Sequence, residues 1–292
     1  MNLYLLSALA SALFFSLAGI TYKLNLKYTF KDPVRFLFFV FLTQLPLALL
    51  LLPFTKVYFP LSLLLPFFSY NLSYLLGALL VGLAIKNLDA SVFMPLFNIQ
   101  IIFTTLFAFI ILGEAFKTIT YFLMLIIVLA GFLVSHEEKS KFSNFFSRPI
   151  LKFVSGLVFY AMSDVFSGQI VRDFGVLNLR FWSSLILPVL ALSFIPFFQG
   201  KEGVTKRKLL AVSANGLFGF LGLLTILFGF VYSVSLAQVL SRFSAVITLV
   251  LVIILAKFRG DLLEKRSRKV YLIRFIGALS MTLSAGALIF SK

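Results

Sequence analysis

Two uncharged runs separated by five residues constrain this chain more than anything else in it. Ser91–Leu112 is 22 residues without a charge, and Thr118–Ser135 is another 18. A hydrocarbon core of about 30 Å needs roughly 20 helical residues. Backbone amides in lipid must be satisfied within their own segment, so each run reads as a membrane-crossing helix. The link Gly113-Glu114-Ala115-Phe116-Lys117 is a short turn, which makes the two helices antiparallel.

The same reading extends along the chain. Asn2–Tyr22 is a first span closed by Lys23. Ala8-Leu9-Ala10 mimics a signal-peptidase site, but no basic stretch precedes the apolar run, so the span is expected to stay uncleaved. Phe36–Thr55 is the second span, with Pro33 at its entrance and Pro53 at its exit. Pro60 and Pro66 break off an interfacial start, leaving a third span at Pro66–Lys86. Beyond the opening pair come Phe153–Val171, Phe181–Gly200, Leu209–Tyr232, Leu236–Ala256 and Val270–Ser291. The expectation is an all-α membrane protein of ten transmembrane helices. It divides into residues 1–135 as a first five-helix unit, 136–152 as a polar linker and 153–292 as a second unit, all one membrane domain.

Composition excludes the other classes. The chain is 61% hydrophobic and 12% charged, unlike an ordinary soluble domain. It has no cysteine, hence no disulfide framework, thiolate metal site or cysteine nucleophile. A net charge of +16 would suggest nucleic acid in a soluble protein. Here loop lysines and arginines account for it through topology and anionic headgroups, and no nucleic-acid partner is expected.

Ala90-Ser91, Leu112-Gly113-Glu114 and Leu129-Ala130-Gly131 punctuate the opening pair. In that spacing the stretch resembles the EamA-type drug/metabolite transporter superfamily. One departure is that the family commonly has proline near the position of Ile101, whereas this chain has Pro95. The resemblance implies two inverted five-helix repeats and export or exchange of a small metabolite. A weak internal echo agrees. Sliding Ala90 onto Ala237 also brings Val92 onto Val239, Gly113 onto Gly260 and Glu114 onto Asp261. An odd number of spans per unit inverts the second copy, an arrangement common in secondary transporters.

Loop charge sets an orientation. The loops after odd-numbered spans carry 20 lysines and arginines, Arg35 and Arg274 among them, and the opposite side carries 5, Arg180 among them. The positive-inside rule puts the odd loops in the cytoplasm and both termini outside. Most ten-span relatives are thought to have both termini inside, so the chain's own charges argue against the resemblance on this point.

Few polar groups lie deep in the spans. Tyr70, Asn71, Tyr74 and Gly77 follow helical spacing on the third span, as Ser91, Pro95, Asn98 and Thr105 do on the fourth. Such stripes line a cavity or hydrogen-bond between helices. Ser16, Tyr74, Asn98, Tyr160 and Asn215 are expected to border a central space where the first, third and fourth spans meet the sixth, eighth and ninth. Asn215, Gly219 and Gly222 form a small face suited to close packing or to opening space for a ligand.

Glu114 reads as a structural turn residue at the membrane surface, and Trp182, Tyr121 and Tyr271 as interfacial anchors. His136 lacks the second histidine of a metalloprotease helix, and no phosphate-binding glycine loop is present. No cofactor or metal is therefore expected.

Asp164 and Arg242 are the two charges expected well inside the spans. Asp164 is twelve residues from Lys152, about 18 Å, and Arg242 is fifteen from Lys257, about 22 Å. Similar depth predicts ion-pair contact between them. Either they neutralise each other, or Arg242 holds an acidic group of the substrate while Asp164 takes an amine or a proton. The expected function is a secondary transporter of a small polar or amphipathic metabolite in the cytoplasmic membrane, as monomer or homodimer. Its expected partners are the solute, membrane lipid and, through Asp164, a coupling proton. The alternative class is a flippase or scramblase of a phosphorylated lipid, favoured by the basic surface. A membrane enzyme ranks below both for want of catalytic pairs.

Overall fold

A computed structural model of the chain describes residues 3–88, 93, 96–114, 117–134, 147–199, 203, 205–258 and 268–290. Among these the regular structure is helical, with no strand. The helices are α1 (Leu3–Tyr28), α2 (Pro33–Leu42), α3 (Gln44–Leu51), α4 (Leu64–Ile85), α5 (Gln100–Leu112), α6 (Thr118–Val134), α7 (Arg148–Phe174), α8 (Val176–Ala191), α9 (Lys206–Tyr232), α10 (Val234–Ser241), α11 (Ser244–Phe258) and α12 (Arg268–Phe290). Six helical segments among the described residues are long and apolar enough to cross a membrane. Shorter apolar stretches are Phe97–Leu112, Val234–Thr248 and Leu272–Ser284.

Local sequence sets the helix ends. Asp32 accepts the Val34 N–H at 3.0 Å ahead of Pro33, whose missing N–H costs nothing at a first helical position. Thr205 and Ser233 cap α9 and α10 in the same way. Gly113 ends α5 at φ 65, and Gly175 at φ 88 is the single residue between α7 and α8. Both lie in the left-handed region that a side chain rarely tolerates. Helix α1 runs on past Lys23 to Tyr28 because the lysine has a destination. Its Nζ donates to the carbonyls of Ile85 (3.1 Å) and Leu88 (2.5 Å) at the C-terminal end of α4, where a cation is favoured.

The largest helix pairings are α1 with α9, α4 with α7 and α6 with α12. Helix α5 packs on α7 as α10 and α11 pack on α1, and α3 packs on α8. Small residues allow these approaches. A Cβ at Gly156 would lie 2.7 Å from Val81 Cγ2 and 3.0 Å from the Val81 backbone nitrogen. One at Gly222 would lie 2.7 Å from the Phe15 ring.

Polar contacts gather at two opposite ends. At one, Lys86 Nζ donates to the Lys31 carbonyl (3.1 Å), Asp32 accepts the Gln199 N–H (2.8 Å), and Arg35 lies 5.0 Å over the Phe198 ring. At the other, Asn178 accepts the Lys56 N–H (2.7 Å) and the Trp182 indole N–H reaches the Lys56 carbonyl (3.3 Å). Arg172 pairs with Glu114 at 3.6 Å, and Ser235 donates to the same carboxylate at 2.7 Å. Connections after the first, third and seventh segments meet at one end. Those after the second, fourth, sixth and eighth meet at the other.

Three corrections to the sequence reading follow. Arg180, counted there as a loop residue, lies in the second turn of α8 and is fully buried. Arg35 and Arg274, also counted as loop charges, are buried at 8% and 0% exposure. Removing all three leaves the loop-charge bias pointing the same way. The ninth segment is not one helix: it breaks between α10 and α11 at Arg242-Phe243, and the fourth carries a 3-10 turn at Phe97–Ile99. The polar stretch 136–146, the end of the internal echo at Gly260-Asp261, and Ser91 and Pro95 lie outside the described residues.

Candidate functional site

The interior holds a cavity of about 200 Å³. Its wall draws on α1 (Phe15, Ala18, Gly19, Tyr22), α2 and α3 (Leu37 to Gln44), α4 (Tyr74 to Ile85), the fourth segment (Phe93, Phe97, Gln100), α7 (Tyr160, Asp164), α9 (Asn215 to Ile226) and the broken ninth segment (Gln238, Arg242, Ser244). The lining runs from mid-helix toward the end that holds Lys23 and Lys86, reaching Ile85 and Phe93. Toward the opposite end an apolar cluster closes the interior, including Leu63, Phe67, Phe174, Leu179, Phe230 and Val234.

Both intramembrane charges of the sequence reading face this space, but they do not form an ion pair. Asp164 Oδ2 accepts from Gln100 Nε2 at 2.5 Å and from Thr104 Oγ1 at 3.3 Å. The two donors sit four residues apart on the face of α5 that packs on α7. Arg242 donates through Nη2 to Gln238 Oε1, also four residues away, and lies 5.7 Å over the Phe97 ring. The expectation of direct pairing fails because each charge is held by neutral groups of a neighbouring turn or helix. Arg242 sits where helix geometry stops, so its side chain follows the break between α10 and α11 rather than a regular helix face.

The other expected residues divide. Tyr74, Tyr160 and Asn215 line the cavity, and the Tyr74 and Tyr160 rings meet at a 50° tilt with centroids 5.4 Å apart. Asn215 also ties α9 to α1, donating to Ala18 O (2.7 Å) and Thr21 Oγ1 (2.9 Å). Ser16 does not line the space. It is fully buried and donates to Ala12 O (2.7 Å) and Ser244 O (2.9 Å), joining α1 to the start of α11. Asn98 is fully buried in the 3-10 turn and does not line it either. Gly219 faces open space, with nothing within 4 Å of an added Cβ. Glu114 holds the ends of three segments together through Arg172 and Ser235.

Four lining or near-lining groups escaped the sequence reading: Gln44, Gln100, Gln238 and Arg180. Arg180 is fully buried, donates through Nη2 to Gln44 Oε1 at 3.1 Å and lies 4.4 Å over the Phe220 ring. The Tyr70 hydroxyl faces Arg180 and Ser183 without reaching hydrogen-bond geometry with either. Spacing held the signal for two of the four, since Gln100 with Thr104 and Gln238 with Arg242 are i, i+4 pairs.

Buried charges facing an interior cavity, one of them at a helix break as Arg242 is here, are a common feature of solute sites in membrane transporters. Residues 2–136 match the family model of the EamA-like transporter family. That likeness covers 135 of the chain's 292 residues, within its first half. Proteins of that family are membrane transporters of the drug/metabolite superfamily. The fold likeness extends further: one solved crystal structure superposes with a TM-score of 0.66, covering 98% of this chain and 96% of that one. At 12% identity that likeness is one of fold alone. No curated protein matches the chain by sequence.

Proposed function

We propose that this EamA-type protein is a secondary transporter, an exporter or exchanger, of a small polar or amphipathic metabolite across the cytoplasmic membrane. In this reading the chain has ten spans in two inverted five-helix repeats, working by alternating access. The observation that carries it is the cavity of about 200 Å³ with Asp164 and Arg242 in its wall. Drug-sized ligands usually occupy roughly 300–1,000 Å³, so the solute is small.

The helix pairings support the repeat. Exchanging the halves turns the α1–α9 pair into the α7–α4 pair, the contact of α5 on α7 into that of α10 and α11 on α1, and leaves α6–α12 and α3–α8 unchanged. Alternating access then needs one end closed while the other admits solute. The apolar cluster and the Glu114–Arg172–Ser235 contacts form the closed gate. The lining toward Ile85 and Phe93 forms the entry. Reversing the tilt of the repeats would break the first and close the second. Asp164 serves as the candidate proton carrier, since its carboxylate faces the cavity and is held by neutral donors.

The test is solute counterflow in proteoliposomes containing the purified chain. Vesicles preloaded with unlabelled amino acids, organic acids, sugars or nucleosides are given a labelled tracer of the same compound. Saturable accumulation of one class supports the reading. No accumulation of any class, together with translocation of a fluorescent phospholipid, would replace it with lipid transport.

A further inference from the structure

We infer that the transported solute is a small organic monoanion, a carboxylate without an amine, whose acid group docks on Arg242. This rests on the transporter reading of the same cavity and names its substrate class.

Charge balance carries the argument. Arg242 and Arg180 are 7% and 0% exposed, and each guanidinium donates to the side-chain carbonyl of a neutral glutamine. Arg242 Nε and Arg180 Nε and Nη1 have no hydrogen-bond partner. Among the described residues the one carboxylate lining the cavity is Asp164, which forms a salt bridge with neither arginine. At the cavity, Arg242 in the wall and Arg180 behind it therefore outnumber Asp164, in a place where uncompensated charge is strongly disfavoured. A bound monoanion removes the excess positive charge. A zwitterion leaves it, and an amine makes it worse.

The neutral groups agree in sign. The guanidinium of Arg180 takes the carbonyl of Gln44, and that of Arg242 takes the carbonyl of Gln238. An amide whose oxygen is held by a cation presents its N–H₂ to whatever lies beyond, and both glutamines line the cavity. Arg180 thus acts on the cavity through Gln44 from behind the wall, and Arg242 acts directly. Planar guanidinium and amide donors on one space suit the two oxygens of a carboxylate. The aromatic rings of Phe97, Tyr74 and Tyr160 leave the rest of the site for an apolar or aromatic body. At about 200 Å³ the space suits a short chain or a single ring.

Two matched sets test this by thermal stabilisation of the purified full chain: isovalerate, isovaleramide, isoamylamine and leucine, then phenylacetate, phenylacetamide, phenethylamine and phenylalanine. A ligand that binds only the folded state raises the apparent Tm with concentration. The expected result is stabilisation by at least one acid. Its amide, amine and amino-acid counterparts bind at least tenfold more weakly. Arg242→Gln is expected to weaken the acid at least tenfold and Arg180→Gln several-fold, with Arg242→Lys and Arg180→Lys recovering part of the loss. Where a glutamine variant does not fold, its lysine counterpart is compared with the parent, and an unchanged preference for acid over amide is expected. Three results overturn the inference: an amide, amine or amino acid that binds as well as the acid, an acid whose binding survives Arg242→Gln unchanged, or no stabilisation by any compound. If a non-acid binds and also shows counterflow, the transporter reading stands and the anion assignment alone falls.

Discussion

The same substitution at two glycines is expected to have opposite effects, because one glycine is crowded and the other faces the cavity. A Cβ at Gly156 meets Val81 Cγ2 at 2.7 Å, the Val81 backbone nitrogen at 3.0 Å and the Gly77 carbonyl at 3.1 Å. Val81 Cγ2 can rotate, but two of the three contacts are backbone and cannot swing aside without separating α4 from α7. Overpacking of this kind costs about 1–3 kcal/mol, and replacing glycine by alanine inside a helix returns about 1 kcal/mol. Gly156→Ala is therefore destabilising by up to about 2 kcal/mol. Gly219 has nothing within 4 Å of an added Cβ, so Gly219→Ala keeps the helix gain of about 0.5–1 kcal/mol. At about 2–4 °C per kcal/mol for a chain of this size, the two variants should differ by roughly 1–12 °C in apparent Tm, with Gly156→Ala the lower. The assay is thermal unfolding of both proteins in one detergent and buffer. Equal shifts, or a stabilised Gly156→Ala, would refute the close α4–α7 crossing and the open space beside Gly219.

Further outcomes follow from the same geometry. A cysteine placed at position 2 or 292 of this cysteine-free chain should react with an impermeant maleimide in intact cells, and one at Ser140 should not; the reverse pattern would invert the orientation. Glu114→Gln removes a pair with Arg172 worth at most about 1 kcal/mol at this exposure and weakens the bond from Ser235. It should leave Tm within a few degrees yet raise maleimide labelling of a cysteine at Ala237 several-fold, and unchanged labelling would remove Glu114 from the gate. Asp164→Asn keeps a carbonyl for Gln100 and Thr104 to bond. Counterflow should therefore persist while accumulation driven by a proton gradient is lost, and retained gradient-driven uptake would exclude Asp164 as the proton carrier.

Much of the helix order was legible because apolar length is a one-dimensional signal, as with Ser91–Leu112 and Thr118–Ser135. Helix ends were less so. Lys23 closes an apolar run in the sequence, yet α1 continues for another turn because a carbonyl cluster on α4 receives the ammonium. Arg180 illustrates the deeper limit. A charge four residues after Val176 looks like loop, and its burial depends on Gln44 and Phe220, which are distant in sequence. The break at Arg242-Phe243 has neither proline nor glycine to announce it. Asp164 and Arg242 stood out because buried charge is rare in lipid-facing segments. Their actual partners did not, because Gln100, Thr104 and Gln238 are neutral residues that serve equally well as bonds between packed helices. Ser16 shows that ambiguity resolved: its hydroxyl joins α1 to α11 instead of facing the cavity.

The central claim is that the space walled by Asp164, Arg242 and Gly219 is where solute binds. Its most direct test compares the parent with Gly219→Leu, in which the new side chain projects into that space without meeting a neighbour at Cβ. Apparent Tm is measured for both across one panel of amino acids, organic acids, sugars and nucleosides. The account predicts that at least one solute raises the parent's Tm in a saturable way, and that the same solute leaves folded Gly219→Leu unshifted. Equal stabilisation of the two proteins would place the binding site elsewhere and contradict the account.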